Sequence, residues 1–213
     1  MQLYNFFNSS TSYRVRIAMA LKGLDYTHQG INLRQGEQSS ADYVALNPAK
    51  SVPLLVEDDG RSLSQSLAII QYLDDRFPSV RLIPDDIELK ARVLEVAYLI
   101  ACDMHPVNNL RILGHLTKEL EVTDQQKADW YKRWIGEGCA ALESLLCRAG
   151  SGIYCFGDTP TLADCCLVPQ VANALRFGCD LSGYPRMMAV YEHCLQHSVF
   201  KKAAPSEQPD YVD

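Results

Sequence analysis

Ser9-Ser10-Thr11-Ser12-Tyr13-Arg14-Val15-Arg16-Ile17-Ala18 is the stretch on which the reading of this chain turns. Four hydroxyl residues in a row follow a strand-like run, Gln2 to Phe7, and lead into an apolar helical run, Val15 to Leu21. A hydroxyl ahead of helical periodicity acts as an N-cap, because its oxygen accepts from a first-turn N–H that lacks a partner inside the helix. One cap takes one hydroxyl, and no Glu or Gln stands three residues on to close a capping box. Surplus O–H donors, first-turn N–H groups and a positive helix end together suit an anion, either a small hard one or a thiolate. The plainer alternative is an over-hydroxylated turn.

Working outward, the helix runs from about Ser12 to Lys22-Gly23, with Gly23 as its stop. Tyr26 to Leu33 reads as a second strand, parallel to the first if the helix is a crossover. A polar segment, Arg34 to Asp42, carries a weak helix into Leu46-Asn47-Pro48. Ser51 to Val56 and Ser62 to Ser64 then form a hairpin across an acidic, Gly-containing turn. Pro53 belongs at a strand start because it cannot donate to a central ladder, and a cis Val52-Pro53 bond would present the Val52 backbone to a ligand. Gln65-Ser66 opens the next helix, Leu67 to Leu73, with Ser66 as its N-cap and a second anion site.

Up to Arg76 the order is thus β-α-β-α-β-β-α, and after a linker from Pro78 to Pro84 the chain turns helical. Helices are expected over about Ile87 to Leu120, Asp124 to Ala149, Thr161 to Phe177 and Pro185 to Gln196, and the tail from Ala204 as a loose or surface-docked end. The expected organisation is α/β plus all-α, with domains at residues 1–80 and 85–213.

The 213 residues, 47% hydrophobic and 22% charged, have the composition of an ordinary globular protein. A net charge of -6 gives no support to a nucleic-acid partner. The longest apolar run, Val93 to Cys102, is broken by Glu95, so no membrane span is expected. The chain opens on a strand pattern without the sections of a signal peptide, which points to the cytoplasm. All eight cysteines lie from Cys102 onward with no C-x-x-C pair, so free thiols are expected, with neither a disulfide framework nor a metal site. Any thiol chemistry near Ser9 would therefore use a thiol from outside.

One helical stretch breaks local rules, Ala101 to Arg111. Pro106 removes a backbone donor mid-helix, and two asparagines follow it. His105 and Asn109 share one face, Asn108 and Arg111 another. Function overriding propensity is one reading, and a kink capped by Asn side chains is the other. Thr161-Leu162-Ala163-Asp164 is a near capping box whose job is folding.

These residues resemble the glutathione transferase superfamily along the whole chain and, within it, the zeta class, where the maleylacetoacetate and maleylpyruvate isomerases fall. The stretches are Ser9 to Ala18, Ala45-Leu46-Asn47-Pro48, Val52-Pro53, Gln65 to Ile70, His105 to Arg111, Gly157 to Asp164, Leu167 to Ala174 with Arg176-Phe177, and Gln208-Pro209-Asp210. The resemblance implies a thioredoxin-like N-terminal domain (βαβαββα), a helical-bundle C-terminal domain and a homodimer. It implies glutathione as cofactor, its sulfur at Ser9, Ser10 and Thr11, its cysteinyl part on the Val52 backbone and its γ-glutamyl carboxylate on Gln65 and Ser66. Gln38, His105, Asn109, Leu110 and Arg111 are implied as further glutathione contacts. Several zeta members carry cysteine at the position of Thr11, and threonine there argues against reductase chemistry.

The implied reaction is thiolate addition to the cis double bond of a small dicarboxylate or keto-acid anion, rotation, and elimination to the trans isomer. Lowering a thiol by ~2 pH units from about 8.5 takes about 2.7 kcal/mol, which the Ser9 and Ser10 hydroxyls and the helix end would supply. Arg14, Arg111 and Arg176 are the candidate carboxylate-binding cations, and Arg16 reads as structural. The competing readings are a general transferase that conjugates or dehalogenates small α-halo acids, and a non-catalytic binding module.

Overall fold

The computed structural model describes residues 1–150 and 152–212. Leu3 lies at the centre of the first unit, on strand β1 (Gln2–Asn5). β1 pairs in parallel with β2 (Thr27–Gly30), Leu3 opposite His28, as the crossover through α1 (Ser10–Leu21) requires. On its other side β1 runs antiparallel to β3 (Leu54–Val56), which forms a hairpin with β4 (Ser62–Ser64). The order is β2-β1-β3-β4. The hairpin turn closes through Glu57 N–H to Arg61 O, with Gly60 at φ 85°, a conformation that only glycine adopts without strain.

A short 3-10 turn (Glu37–Ser39) and α2 (Ala41–Leu46) occupy the polar segment, and α3 (Ser66–Arg76) follows β4. Val15, Ile17, Met19, Ile69, Ile70 and Leu73, on α1 and α3, are fully buried. Phe6, Phe7, Tyr43, Val52 and Leu54 form a further apolar cluster, with Tyr4 and Val56 packed against it. The Pro78 to Pro84 linker is tied down by a buried ion pair, Lys22 Nζ to Asp74 Oδ1 at 2.9 Å, and Asp74 Oδ1 also accepts from Leu82 N.

Two compact units emerge, and their division differs from the expected one. Met1–Leu82 is joined by the chain from Leu195 on, leaving Ile83–Cys194 as the second unit. The reason is a set of hydrogen bonds to the tail: Tyr13 Oη and Arg16 Nε donate to Phe200 O and Ala203 O, next to and within α9 (Ser198–Lys202). The tail is docked, with Gln208 buried.

The second unit contains α4 (Ile87–Tyr98), α5 (Leu110–Lys118), α6 (Asp124–Arg148), α7 (Leu162–Arg176) and most of α8 (Pro185–Gln196). The single helix expected over Ile87 to Leu120 is instead four pieces. A π-turn at Leu99–Met104 and a 3-10 turn at Pro106–Asn108 separate α4 from α5. The Pro106 ring would clash with the carbonyl four residues back, and His105 N reaches five back, to Ile100 O. Gly138 on α6 lets Met104 approach, since a Cβ there would lie 2.4 Å from Met104 Cγ. Asp164 is fully buried at the start of α7 and completes the Thr161 capping box. No helix among the described residues is long and apolar enough to cross a membrane.

Candidate active site

α1 begins at Ser10, two residues earlier than expected, because Ser9 is its N-cap: Ser9 Oγ accepts from Ser12 N at 3.2 Å. Ser9 N–H in turn donates to Phe6 O at 3.0 Å, which folds the preceding turn. Thr11 Oγ1 donates to Val52 O at 2.9 Å and lies 2.9 Å from Ser9 Oγ. A hydroxyl has one proton, and that of Thr11 is spent on Val52, so Ser9 is the donor of the second bond. The four hydroxyls thus divide. Ser9, Ser10 and Thr11 gather at the helix end, while Ser12 is fully buried.

The Val52-Pro53 bond is cis, the condition under which the Val52 backbone is presented to a ligand. At the start of α3 the N-cap is Gln65 and not Ser66, which corrects the expected cap. Gln65 sits at φ 73°, a region costly for a residue with a Cβ and often found where a ligand is clamped. Its side chain makes no capping bond, so the first-turn N–H groups of α3 are not taken up by it.

Ser66 is the first helical residue, and its Oγ accepts a long 3.4 Å hydrogen bond from Arg14 Nη1. Guanidinium only donates, so the Ser66 proton remains for an outside acceptor. Arg14 itself is 1% exposed. The expectation that it holds a substrate carboxylate directly is therefore corrected: its charge stands behind Ser66. Gln38 lies on the 3-10 turn, and its buried Oε1 has no hydrogen-bond partner among the described residues.

Arg16, read from sequence as structural, also bears on the site. It is 1% exposed and donates to Phe6 O and Phe7 O, the residues that lead into Ser9. Burial brings its guanidinium down to about 10, so it stays charged at neutral pH. A second cation two residues from Arg14 in an otherwise apolar helix was the signal that could have marked it.

In the second unit, Asn109 caps α5, its Oδ1 accepting from Ile112 N at 3.1 Å, and Asn108 Nδ2 donates to Tyr131 O. Asn109 thus caps the N-terminus of α5, while Asn108 ties to a carbonyl of α6 and not to one freed by the kink. His105 is half-buried, and Leu110 and Arg111 are exposed on the first turn of α5. Arg176 ends α7, exposed, with Nη2 donating to Asn173 Oδ1 at 2.9 Å and its guanidinium 5.1 Å from the Phe177 ring centre. Phe177 stacks on Tyr131 with centroids 4.1 Å apart. Burial raises the Tyr131 hydroxyl, with the Arg176 charge pulling the other way.

The eight cysteines are free thiols, five of them buried, and burial pushes Cys139 up to about 12.

The sheet order, the cis proline and a hydroxyl-lined helix end define a thioredoxin-like protein suited to stabilising a sulfur anion. Comparison with known proteins agrees. Residues 1–75 match the family "Glutathione S-transferase, N-terminal domain". Maleylacetoacetate isomerase of Pseudomonas aeruginosa is 44% identical over 212 residues, 99% of this chain and 98% of that one. A holo structure of maleyl pyruvate isomerase, described as a bacterial zeta-class glutathione S-transferase, superposes with TM-score 0.96 at 43% identity, covering all of both chains. A maleylacetoacetate isomerase of Methylobacterium extorquens AM1, solved with bound malonate and glutathione, superposes with TM-score 0.96 at 32% identity, also over both full chains. The chain belongs to the zeta-class glutathione transferase family, the family of the maleylacetoacetate and maleylpyruvate isomerases.

Proposed function

We propose that this protein is a glutathione-dependent cis–trans isomerase of maleyl keto acids, acting on maleylacetoacetate or maleylpyruvate. The observation that carries the reading is the hydroxyl relay from Ser9 through Thr11 to Val52 O at the start of a twelve-residue helix. It holds the Ser9 and Thr11 hydroxyls on either side of Ser10 at a positive helix end, where negative charge on sulfur is stabilised.

The residues fit glutathione at both of its ends. Ser66 retains a proton for a carboxylate, with the Arg14 charge behind it, and the Gln38 Oε1 acceptor is buried without a donor, a cost that a ligand N–H would relieve. The Val52 main chain would take the cysteinyl part between these ends. Bound glutathione would supply the nucleophilic sulfur whose reversible addition to the double bond permits rotation.

The protein's own work is then to hold the proton balance and the substrate's charge. Ser10 donates to the anionic sulfur, while Ser9, whose one proton goes to Thr11, orients Thr11 and caps α1. His105, Asn109 and Leu110 are assigned as further contacts, with Asn109 offering its Nδ2 because its Oδ1 is spent on Ile112 N. The exposed guanidiniums of Arg111 and Arg176 are the cations for the substrate carboxylates, in place of the buried Arg14.

A homodimer in the cytoplasm completes the reading. It is supported by apolar residues left exposed on α4 (Ile87, Leu89 and Tyr98) and by eight free cysteines. The deciding experiment is an ultraviolet assay of maleylacetoacetate and maleylpyruvate with catalytic glutathione. Isomerisation without loss of glutathione is expected. Stoichiometric consumption of glutathione would favour a conjugating transferase, and failure to bind it would leave only a binding module.

A further inference from the structure

Phe7 lies past the end of β1 and two residues before the Ser9 cap, so its N–H and C=O have no strand partner and must be satisfied otherwise. Both are, and by charged groups. Asp210 Oδ2, from the tail, accepts from Phe7 N at 2.9 Å. Arg16 Nη2 donates to Phe7 O at 2.9 Å, and Arg16 Nη1 donates to Phe6 O at 3.3 Å, the same oxygen that accepts from Ser9 N.

The circuit closes on itself. Arg16 Nη1 also donates to Asn5 Oδ1, which orients the Asn5 amide so that its Nδ2 faces His28 Nδ1 at 3.3 Å. His28 Nε2 then lies 3.1 Å from Asp210 Oδ1. The tail is built to reach this point. The buried Gln208 donates to Lys202 O and Ala204 O, and Tyr211 packs edge-on against Phe7 with centroids 5.4 Å apart.

We infer that Asp210 is a positioning residue of the active site, its carboxylate and the Arg16 guanidinium holding the two polar groups of Phe7 and thereby setting the turn that presents Ser9 and Ser10. The inference rests on the isomerase reading above. A purely stabilising tail would need no bond to the peptide that enters the catalytic turn. A charge-assisted bond there fixes the peptide more firmly than a neutral one.

The test uses the full chain with Asp210→Ala, Asp210→Asn and Asp210→Glu. Asp210→Ala is expected to lose roughly tenfold in kcat with KM changed by no more than about twofold, as misplacement of a catalytic group predicts. The pH midpoint of thiolate absorbance by bound glutathione should move up with it. Asp210→Asn keeps an oxygen that accepts from Phe7 N–H and should recover most of kcat. Asp210→Glu, with the charge displaced by one methylene, should show the same loss in weaker form and serves if the alanine variant does not fold.

Hydrogen exchange over residues 3–13, measured without substrate, should quicken in Asp210→Ala or, if that does not fold, in Asp210→Glu. Wild-type kcat and thiolate midpoint in the folded variants would overturn the inference, as would lowered thermal stability with unchanged exchange over that segment. If the wild-type protein does not isomerise either substrate, the isomerase reading falls. Exchange over residues 3–13 then still decides whether Asp210 sets the turn.

Discussion

Thr11 Oγ1 donates to Val52 O across 2.9 Å, tying the first turn of α1 to the residue before the cis proline. The same hydroxyl accepts from Ser9, so one side chain orients a candidate catalytic serine and a main-chain carbonyl together. Thr11→Val keeps the shape and removes both bonds, and it should lower kcat by roughly tenfold through loss of orientation. Thr11→Ser should restore most of the rate. Steady-state kinetics of the pair check this, and equal rates for valine and serine would show that the hydroxyl is idle.

Ser10→Ala should act on the sulfur itself. Its hydroxyl sits at the first position of α1, where a donated hydrogen bond adds to the helix field. The pH–rate profile is expected to shift to higher pH, with glutathione affinity little changed. Ser9→Ala should shift the profile less, because the Ser9 proton goes to Thr11, and should lower stability by about 1 kcal/mol, since Ser9 caps the helix. Unshifted profiles in both variants would rule out either serine as the thiolate donor.

Ser66 and Arg14 make a different prediction. Ser66→Ala should weaken glutathione binding by about 1.5–3 kcal/mol, the range for a hydrogen bond to a charged group, and leave kcat at saturation near normal. Arg14→Met, similar in length but uncharged, should weaken glutathione binding without a selective rise in KM for the maleyl substrate, because Arg14 is buried and acts through Ser66. Isothermal titration and kinetics with varied substrate separate the two outcomes.

The hydroxyl cluster, the hairpin, the β-α-β start and α8 at Pro185–Gln196 could be read from local pattern, because each is specified by neighbours in sequence. What could not be read are bonds between distant residues. Thr11 and Val52 are 41 residues apart, and Phe7 and Asp210 are 203 apart. No periodicity reports such pairs, so the tail that matched the family pattern carried no role. Arg14 misled for a related reason: a cation in a first turn opposes the dipole and so suggests a ligand, whereas its partner is Ser66 across the fold. Gln65 displaced Ser66 as cap through a positive φ that its side chain does not advertise.

His28 should give the fold an acid-sensitive contribution. Burial lowers its pKa below 6.5, outweighing the attraction of Asp210, and the Arg16 charge lowers it further. The unfolded chain therefore binds a proton that the folded one resists. That contribution is complete above about pH 6.5 and is lost as pH falls through the folded value. Melting temperature should drop on acidification below that point, and His28→Gln should flatten the dependence. A wild-type slope in the variant would assign the effect to another group.

Asp164 is the corresponding test in the second unit. Its carboxylate accepts from Cys155 N and Thr161 N at 2.8 Å each and from Thr161 Oγ1 at 3.0 Å. Asp164→Ala leaves those buried donors without their acceptor and should cost about 3 kcal/mol in urea unfolding. Asp164→Asn, which keeps one oxygen, should fall between. Loss of less than about 1 kcal/mol in the alanine variant would mean that the capping box is not a folding determinant.

Arg176 should decide how the substrate is held. The maleyl keto acids carry two negative charges, and a protein of net charge -6 repels them at long range, so cations near the reacting group must offset that field. Arg176 is exposed, ends α7 where a cation is favoured anyway, and keeps its guanidinium beside Phe177 and bonded to Asn173. One guanidinium edge is thereby anchored and the planar group oriented, which suits bidentate capture of a carboxylate. Arg176→Ala should raise KM for the maleyl substrate by roughly a hundredfold, the loss of a charged pair of about 2.7 kcal/mol, while glutathione binding stays near normal. Arg176→Lys keeps the charge but not the planar fork, so its KM should lie between. Asn173→Ala, which removes that one contact and keeps the guanidinium, should raise KM only modestly. If Arg176→Ala keeps the wild-type KM, Arg176 serves only as a helix-end cation, and Arg111 takes the role.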